Sequence, residues 1–511
     1  MAKNFLIGVG GTGAKCVESF VHLCAAGLGP DIVQIQLIDQ DDANGNLSRT
    51  KKLISLYHDL HSSFRVGNGG DRLAPETVFL NTEIITPKAG LIACPSVNNS
   101  SSLASCFNYD NLSPNLAELV DSLYSGESER DLSLVHGFHA RPNVGAAIFG
   151  AYARSSTSAW NNLFEDIRAA AGSGSVQVFL VGSIFGGTGA SGFPTLARWL
   201  YQKIKKEKIA GVSIGGALML PYVTYTRSSG QGTNPSFPTR FLDSTIVALR
   251  YYARLFQHEP PFQHLYLLGW DPLIELPNLG AGAGAQENPP LIPELYAALA
   301  GCKFFSTPPE PNESTQVFLA GYGTSEKEEQ LIWKDVPIVK QGDQHDVKQK
   351  LSQSLHFGFA FHYVYAPFLS RSTENQAPWK SCQKEAWFKR LIVKQCVEIQ
   401  EDRHQKSLAN LQIFSHCHLE WFATLVHASR QNTTQPYLFA ADSIAKPNQP
   451  ISILYPYKDI HRDSFEKLVY DSRSLSLSRI FWELTYSSYK NEHHRLGILI
   501  GFLYDLCAQT N

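Results

Sequence analysis

Residues 179–192 read FLVGSIFGGTGASG. The apolar run Val176–Val181 predicts a buried strand. It leads into a glycine-rich turn, Gly186-Gly187-Thr188-Gly189, and a helix-like segment continues through Leu200 to Lys206. A strand that feeds a glycine turn and then a helix builds an anion site. The turn exposes backbone N–H groups, and the helix N-terminus adds the positive end of its dipole. Glycine lets the backbone approach a phosphate without a Cβ in the way.

The same pattern recurs on both sides of this stretch. Asn4–Val9 reads as a buried strand, Gly13–Ala26 as a helix closed by Gly27 and Gly29-Pro30, and Ile32–Ile38 as a second strand. Val144–Arg154 and Ala159–Ala171 read as helices. Val212–Leu220 and His264–Leu268 read as strands, with the long helix Thr239–Phe256 between them. Leu116–Tyr124 is a separate helix candidate in the polar, Ser/Asn-rich stretch 98–131. Strands that alternate with crossover helices predict an α/β fold with a doubly wound, mostly parallel sheet. The Gly/Pro-rich segment Pro277–Pro293 interrupts the alternation, and a helix is expected at Glu294–Phe305. Val347–Leu369, Gln383–Arg430 and Ser464–Leu506 are helix-rich, and Tyr437–Tyr457 holds strand candidates. The division expected is a nucleotide-binding domain with its connecting helix at 1–310 and a helix-rich C-terminal domain at 311–511.

Bulk composition excludes several classes. The chain has 511 residues, 18% charged and 43% hydrophobic, which suits two or three globular domains. A net charge of −2 gives no pull toward nucleic acid. No apolar stretch reaches the roughly 18 residues of a membrane helix. The N-terminal MAKNFLIGVGG enters a strand directly and does not read as a signal peptide, so a cytoplasmic location is expected. The nine cysteines are widely spaced with no CxxC, which reads as reduced thiols. His416-Cys417-His418 lacks a second cluster at ligand spacing, so no protein metal site is expected.

Three further segments carry chemistry. Gly8-Val-Gly10-Gly11-Thr12-Gly13-Ala-Lys15 fits GxGxxG between strand and helix, a pattern shared with dinucleotide-binding folds in which Asp39 would hold a ribose. It is not a Walker A loop, because Lys15 stands one residue too late. Asp39-Gln-Asp41-Asp42-Ala-Asn44-Gly-Asn46-Leu-Ser-Arg49 follows the second strand. These carboxylates and amides could serve Mg²⁺, ribose or phosphates. An ordinary polar turn would use the same residues to bond its own backbone. Gly137-Phe-His139-Ala140-Arg141-Pro142-Asn143-Val-Gly145 precedes a helix, with Pro142 suited to its first turn.

Taken in order, these turns resemble the tubulin/FtsZ superfamily, and most closely its bacterial tubulin-like proteins outside division FtsZ. The resemblance covers roughly residues 3–275 and is clearest at GVGGTGAK and GGTGASG. It implies a tubulin-type sheet that binds GTP or GDP with Mg²⁺. Phosphates would lie on Gly10, Gly11, Thr12, Gly13 and Lys15, on Arg141, Pro142, Asn143 and Gly145, and on Gly186, Gly187, Thr188, Gly189, Ala190 and Ser191. Asp39, Asp41, Asp42 and Asn44 would serve ribose, Mg²⁺ or inter-subunit contacts. Trp270-Asp271 and the helix at Glu294 would border the base.

The resemblance also implies head-to-tail self-association into filaments, with hydrolysis completed by an acid from the next subunit. Departures weaken that half. Phe185 replaces the first glycine of GGGTG, and Ala190-Ser191 adds a residue before Gly192. No NxDxxD follows the central helix; Asp335 is the nearest candidate acid and Glu294 a poorer one, and both read first as ordinary surface carboxylates. A second reading is therefore a nucleotide-gated interaction protein with slow or no hydrolysis. It would dock partners through its C-terminal region, in membrane remodelling or defence. The DxD…NLxR pattern also resembles the ATP site of enzymes that activate ubiquitin-like proteins, a third reading that leaves GGTGASG unexplained.

Overall fold

A computed structural model describes residues 3–66, 72–95, 101–155, 158–225, 237–276, 286–307, 314–323, 330–339, 344–369, 385–395, 397–430, 436–445, 459–472, 475–489 and 495–508. In chain order, β1 (Asn4–Val9) runs into α1 (Gly10–Ala25), and β2 (Ile32–Ile38) leads to α2 (Gly45–His61). Short strands β3 (Glu83–Ile85) and β4 (Ile92–Ala93) precede the helices α3 (Leu103–Phe107), α4 (Pro114–Leu123), α5 (Pro142–Tyr152) and α6 (Ala159–Ala171). Next come β5 (Val176–Ser183), α7 (Gly187–Lys206), β6 (Val212–Met219), β7 (Val223–Tyr225), α8 (Phe237–His258), β8 (His264–Asp271) and β9 (Ile274–Leu276). The helix α9 (Ile292–Ser306), β10 (Gln316–Gly323) and α10 (Gln344–Ala360) follow.

These elements form a doubly wound α/β fold. The main sheet has eight strands in the order β10-β8-β6-β5-β1-β2-β3, with β4 beside the end of β2, and every pairing is parallel. Strand periodicity of two divides the core. Phe5, Ile7, Val9, Val178 and Leu180 pack on one face, against α5, α6 and α7; Leu6, Phe179 and Val181 pack on the other, against α1 and α9. Strand order reverses between β1 and β5, because α1 carries the chain toward β2 and α7 carries it toward β6. The crevice at such a reversal, outside the carboxyl ends of the strands, is where open α/β sheets bind ligands.

Several expectations meet small corrections. α1 begins at Gly10 rather than Gly13, and α7 begins at Gly187, so each glycine turn is itself the first turn of a helix. α2, β3, β4, β7, β9 and β10 have no counterpart in the sequence reading. β10 lies past residue 310 and pairs with β8 along Gln316–Gly323. The strand candidate at 437–457 gives one bridge, Phe439 with Val469, and a short helix, Ala441–Ile444; residues 446–458 lie outside the described residues. Among the described residues no helix is long and apolar enough to cross a membrane.

The C-terminal region is helical and shares a single core with α1, α2 and α9. Its longest helix, Asp402–Ala428, docks on α1 through a polar contact within that core. His418 and His22 share a hydrogen bond between their Nδ1 atoms at 2.9 Å, His418 Nε2 meets Ser354 Oγ at 3.1 Å, and Trp421 Nε1 donates to Ser19 Oγ at 3.3 Å. Burial pushes His22 well below the usual histidine range and His418 down to about 3, so both rings are neutral near pH 7. Unfolded histidines titrate near 6.5. The contribution of this pair is therefore complete above about pH 6.5 and is lost as pH falls toward the folded value, where the unfolded chain takes up protons that the native state refuses. Urea unfolding from pH 7.5 to 4.5 should show this decline, and His418→Gln should make it shallower. An equal pH slope in the variant would show that the pair does not titrate on unfolding.

Candidate functional site

A cavity of about 460 Å³ opens at the strand-order reversal. That volume lies inside the range of roughly 300–1,000 Å³ usual for small-molecule sites. Two helix N-termini meet on its wall. α1 and α7 both lack a side-chain cap, so their first-turn N–H groups are available to a ligand. They nearly touch: a Cβ on Gly10, whose φ is +77°, would stand 3.1 Å from the backbone nitrogen of Gly189. Neither position leaves room for a side chain. The crossing turns therefore aim two positive dipole ends into one space.

The cavity brings together Gly10, Gly11, Thr12, Lys15, Asp39, Asp41, Asn44, Arg141, Gly186, Gly187, Thr188 and Gly189. No family model, curated protein or solved structure matches the chain. The reading of the site therefore rests on its own geometry.

The remaining expected residues lie elsewhere. Gly13 is a packing glycine: a Cβ there would sit 2.7 Å from Val181 O. Gly145 packs on Ser191, whose Oγ donates to Gly187 O at 2.6 Å inside α7. Pro142, Asn143, Ala190 and Ser191 line a neighbouring groove rather than this cavity. Asp42 is exposed outside it. The expected base border also moves. Asp271 is exposed, and Trp270 packs with Tyr296 and Tyr322 at ring distances of 5.7 and 5.3 Å.

Three expected ligand groups already have protein partners. Lys15 Nζ lies 2.5 Å from Glu294 Oε1, and Tyr222 Oη donates to the same oxygen at 2.5 Å; Glu294 is 0% exposed, so it is no surface carboxylate. Asn44 caps α2 by accepting from Asn46 N at 2.9 Å, and its Nδ2 donates to Gln286 Oε1 at 3.0 Å. Thr188 Oγ1 donates to Asp39 Oδ1 at 2.8 Å, joining the turn after β5 to the end of β2. Burial pushes the Asp39 carboxyl up to about 7 against the pull of that hydrogen bond.

Gln286 and Asn288 went unread, because they lie in the Gly/Pro-rich interruption. Asn288 N donates to Asn46 Oδ1 at 2.9 Å, and Arg49 bridges Glu18 at 2.7 Å and Glu287 at 3.4 Å. The segment 286–288 thus straps the cavity against the start of α2. On the opposite rim His139 and Ala140 both have positive φ, 47° and 56°, a strained pair ahead of Arg141. A Cβ on Gly187 would lie 2.9 Å from Phe138 Cβ and 3.2 Å from Ala140 N, so it is this rim that requires glycine at 187.

Asp335 stands at the cavity end of α9. Tyr296, in the first turns of that helix, donates from its hydroxyl to Asp335 O at 2.9 Å, whereas the far end of α9 reaches the start of β5 through Gln177 Nε2 and Phe304 O at 2.7 Å. Residues 308–313, which follow α9, lie outside the described residues. Thiol chemistry has no support at His416-Cys417-His418, where burial pushes Cys417 up to about 11. No group of three or more metal-ligating side chains occurs among the described residues.

Two outcomes follow. Asp39 has a folded value near 7 against about 3.9 when unfolded. Its protonated form favours the native state at about pH 4, and that contribution is lost as pH rises to 7. Asp39→Asn should therefore gain stability relative to the parent as pH rises from 4 to 7.5 in urea titrations; a gap independent of pH would rule out the titration. Gly13→Ala should cost about 1–3 kcal/mol of stability by overpacking against backbone. Gly11→Ala should cost far less, because its Cβ meets only the amides of Asn44 and Asn46 at 3.3 Å. Equal losses would contradict the assignment of Gly13 to packing and Gly11 to the cavity.

Proposed function

We propose that this chain is a tubulin-like GTP-binding protein that self-associates head to tail in a nucleotide-dependent way. The observation that carries the reading is the meeting of the α1 and α7 N-termini, at Gly10 and Gly189, where the strand order reverses. Triphosphate oxygens would accept from backbone N–H groups of Gly10–Thr12 and Gly187–Gly189, with Arg141 adding a forked donor from the rim. Asp39 and Asp41 suit Mg²⁺, which takes one or two carboxylates and completes its shell with phosphate oxygens and water. Mg²⁺ would supply charge neutralisation there and draw Asp39 to its ionised form. The base would meet Tyr225, Gln286 and Asn288, whose amides can both donate and accept, in place of Trp270-Asp271. The order of the motifs along the chain supports guanine by resemblance alone.

A second reading, a nucleotide-gated interaction protein with slow or no hydrolysis, draws on the position of Asp335. An acid that completes the site of the next subunit in a head-to-tail chain must project from the end of the molecule opposite its own nucleotide. Asp335 is at the same end. Assembly would then be switched by binding, and the helical C-terminal region would be the surface offered to protein partners.

Calorimetric titration with GTP, GDP and ATP in Mg²⁺ tests the binding. GTP should bind more tightly than ATP, and Gly11→Ala should weaken GTP by tenfold or more, about 1.4 kcal/mol. Equal or tighter ATP binding would overturn guanine, and unchanged affinity in Gly11→Ala would overturn the cavity as the phosphate site. Phosphate release should be slow and unaffected by Asp335→Ala; a loss of turnover at constant affinity would return Asp335 to a transition-state role.

A further inference from the structure

The groove beside the glycine-lined cavity carries positive charge with little to balance it. It encloses about 890 Å³ between α5, α7 and α8, a volume within the range of small-molecule sites. Its permanently charged residues are Arg141, Arg154 and Arg198, and no carboxylate lines it. Arg141, the N-cap of α5, stands at one end. Arg154, just past the last turn of α5, stands at the other, because the eleven residues of that helix span about 16 Å. Trp199 Nε1 donates to Ala153 O at 3.2 Å, which brings α7 against the end of α5 and puts Arg198 at the Arg154 end.

These cations are poorly matched within the protein. Among the described residues the exposed Arg154 has no side-chain hydrogen bond or ion pair. Arg198 has a long ion pair, 3.9 Å to Glu259 Oε2, and that oxygen already accepts from Gln202 Nε2 at 2.9 Å. At the other end Arg141 Nη1 donates to His139 O at 3.2 Å, and the acid of that rim, Glu129, accepts from Asn143 Nδ2 at 2.7 Å. Two like charges at one end of a concave site with no carboxylate in its lining attract an oxyanion, and a guanidinium fork suits one that offers two oxygens. Between the ends the wall is apolar. Trp199, Tyr251 and Leu255 line it, and Tyr251 is more than half exposed. Tyr252 gives its hydroxyl to Ala190 O, which leaves its ring as the part that can meet a ligand.

We propose that the α5/α7/α8 groove is a binding site for a small amphipathic organic anion. Its carboxylate, sulfonate or phosphate head lies on Arg154 and Arg198, and its aromatic or aliphatic body lies along Trp199, Tyr251 and Leu255. Charge selects the head, and the uncovered rings select the body. Neither Arg154 nor Arg198 lines the glycine-rich cavity, so this site is independent of the nucleotide reading, although the two meet at Arg141, which lines both.

Fluorescence titration of the full chain with anilinonaphthalene sulfonate tests it, beside phenylnaphthylamine, which has the same rings without the sulfonate. The sulfonate should bind one-to-one and about tenfold more tightly than the neutral dye, the size of one charge-assisted hydrogen bond. Arg154→Ala and Arg198→Ala should each erase most of that preference and leave the affinity for the neutral dye as in the parent. Arg154→Lys should keep much of it. Leu255→Asp should weaken both dyes. Arg154 is exposed, so its variants should keep the circular dichroism spectrum of the parent. No saturable binding, equal binding of the two dyes, or a sulfonate preference that survives both alanine variants would overturn the proposal. Binding lost in Gly11→Ala but kept in Arg154→Ala would place the dye in the glycine-lined cavity and overturn it as well. Tighter binding of tetraglutamate than of the sulfonate would make the groove a site for acidic peptide instead. The nucleotide reading stands or falls separately, on the GTP titration.

Discussion

A carboxylate with no exposed surface holds the junction between the sheet and the C-terminal helices. Glu294 lies in the first turn of α9, with Lys15 and Tyr222 on one oxygen and the Leu291 N–H on the other. Burying an unpaired charge costs several kcal/mol, and removing one member of such a set strands the rest. The group therefore fixes the start of α9 against the second turn of α1. Around it, Ile292 N donates to Ser429 Oγ at 3.0 Å, and Tyr296 reaches Asp335. The cavity and the end of the Asp402–Ala428 helix are thus connected through one turn of one helix.

The second constraint is steric. β1 and β5 are adjacent and parallel, and each turns straight into a helix, so two glycine turns must share one corner. Gly10 and Gly189 answer that crowding, and the Thr188–Asp39 hydrogen bond crosses the same corner. What makes the corner dense also makes it suited to anions: N–H groups converge where no side chain fits. Asp39 and Asp41 stand beside that surplus of positive dipole.

The sheet was legible because its strands are continuous apolar runs between glycine turns. β1 and β2 were placed to the residue, and β5, β6 and β8 within a few residues of their ends. Short edge elements such as β3 and β4 carry too few residues for a periodicity, and β10 follows a Pro-rich break that reads as the end of the sheet. In the site, the backbone-mediated part was legible, since glycine spacing reports it directly. Side-chain pairing was not. Lys15 reads as a phosphate ligand until Glu294, far along the chain, is found beside it. Gln286 and Asn288 sit in a segment whose composition says loop, and only the fold brings that loop across Asn44 and Asn46.

The last described helix, Leu496–Asp505, packs against some of the earliest chain. Tyr504 stacks on Phe79 with ring centroids 4.9 Å apart, and Thr77 donates to Asp505 at 3.4 Å across 428 positions. Ribosomes add about 5–20 residues per second, so roughly 20–90 s separates the emergence of the two halves of this contact. Throughout that interval Leu73 and Phe79 lack the cover that this helix gives them. The fold therefore imposes a long dependence on the cell during synthesis: the apolar chain around Phe79 must be kept from other chains until the helix that covers it arrives.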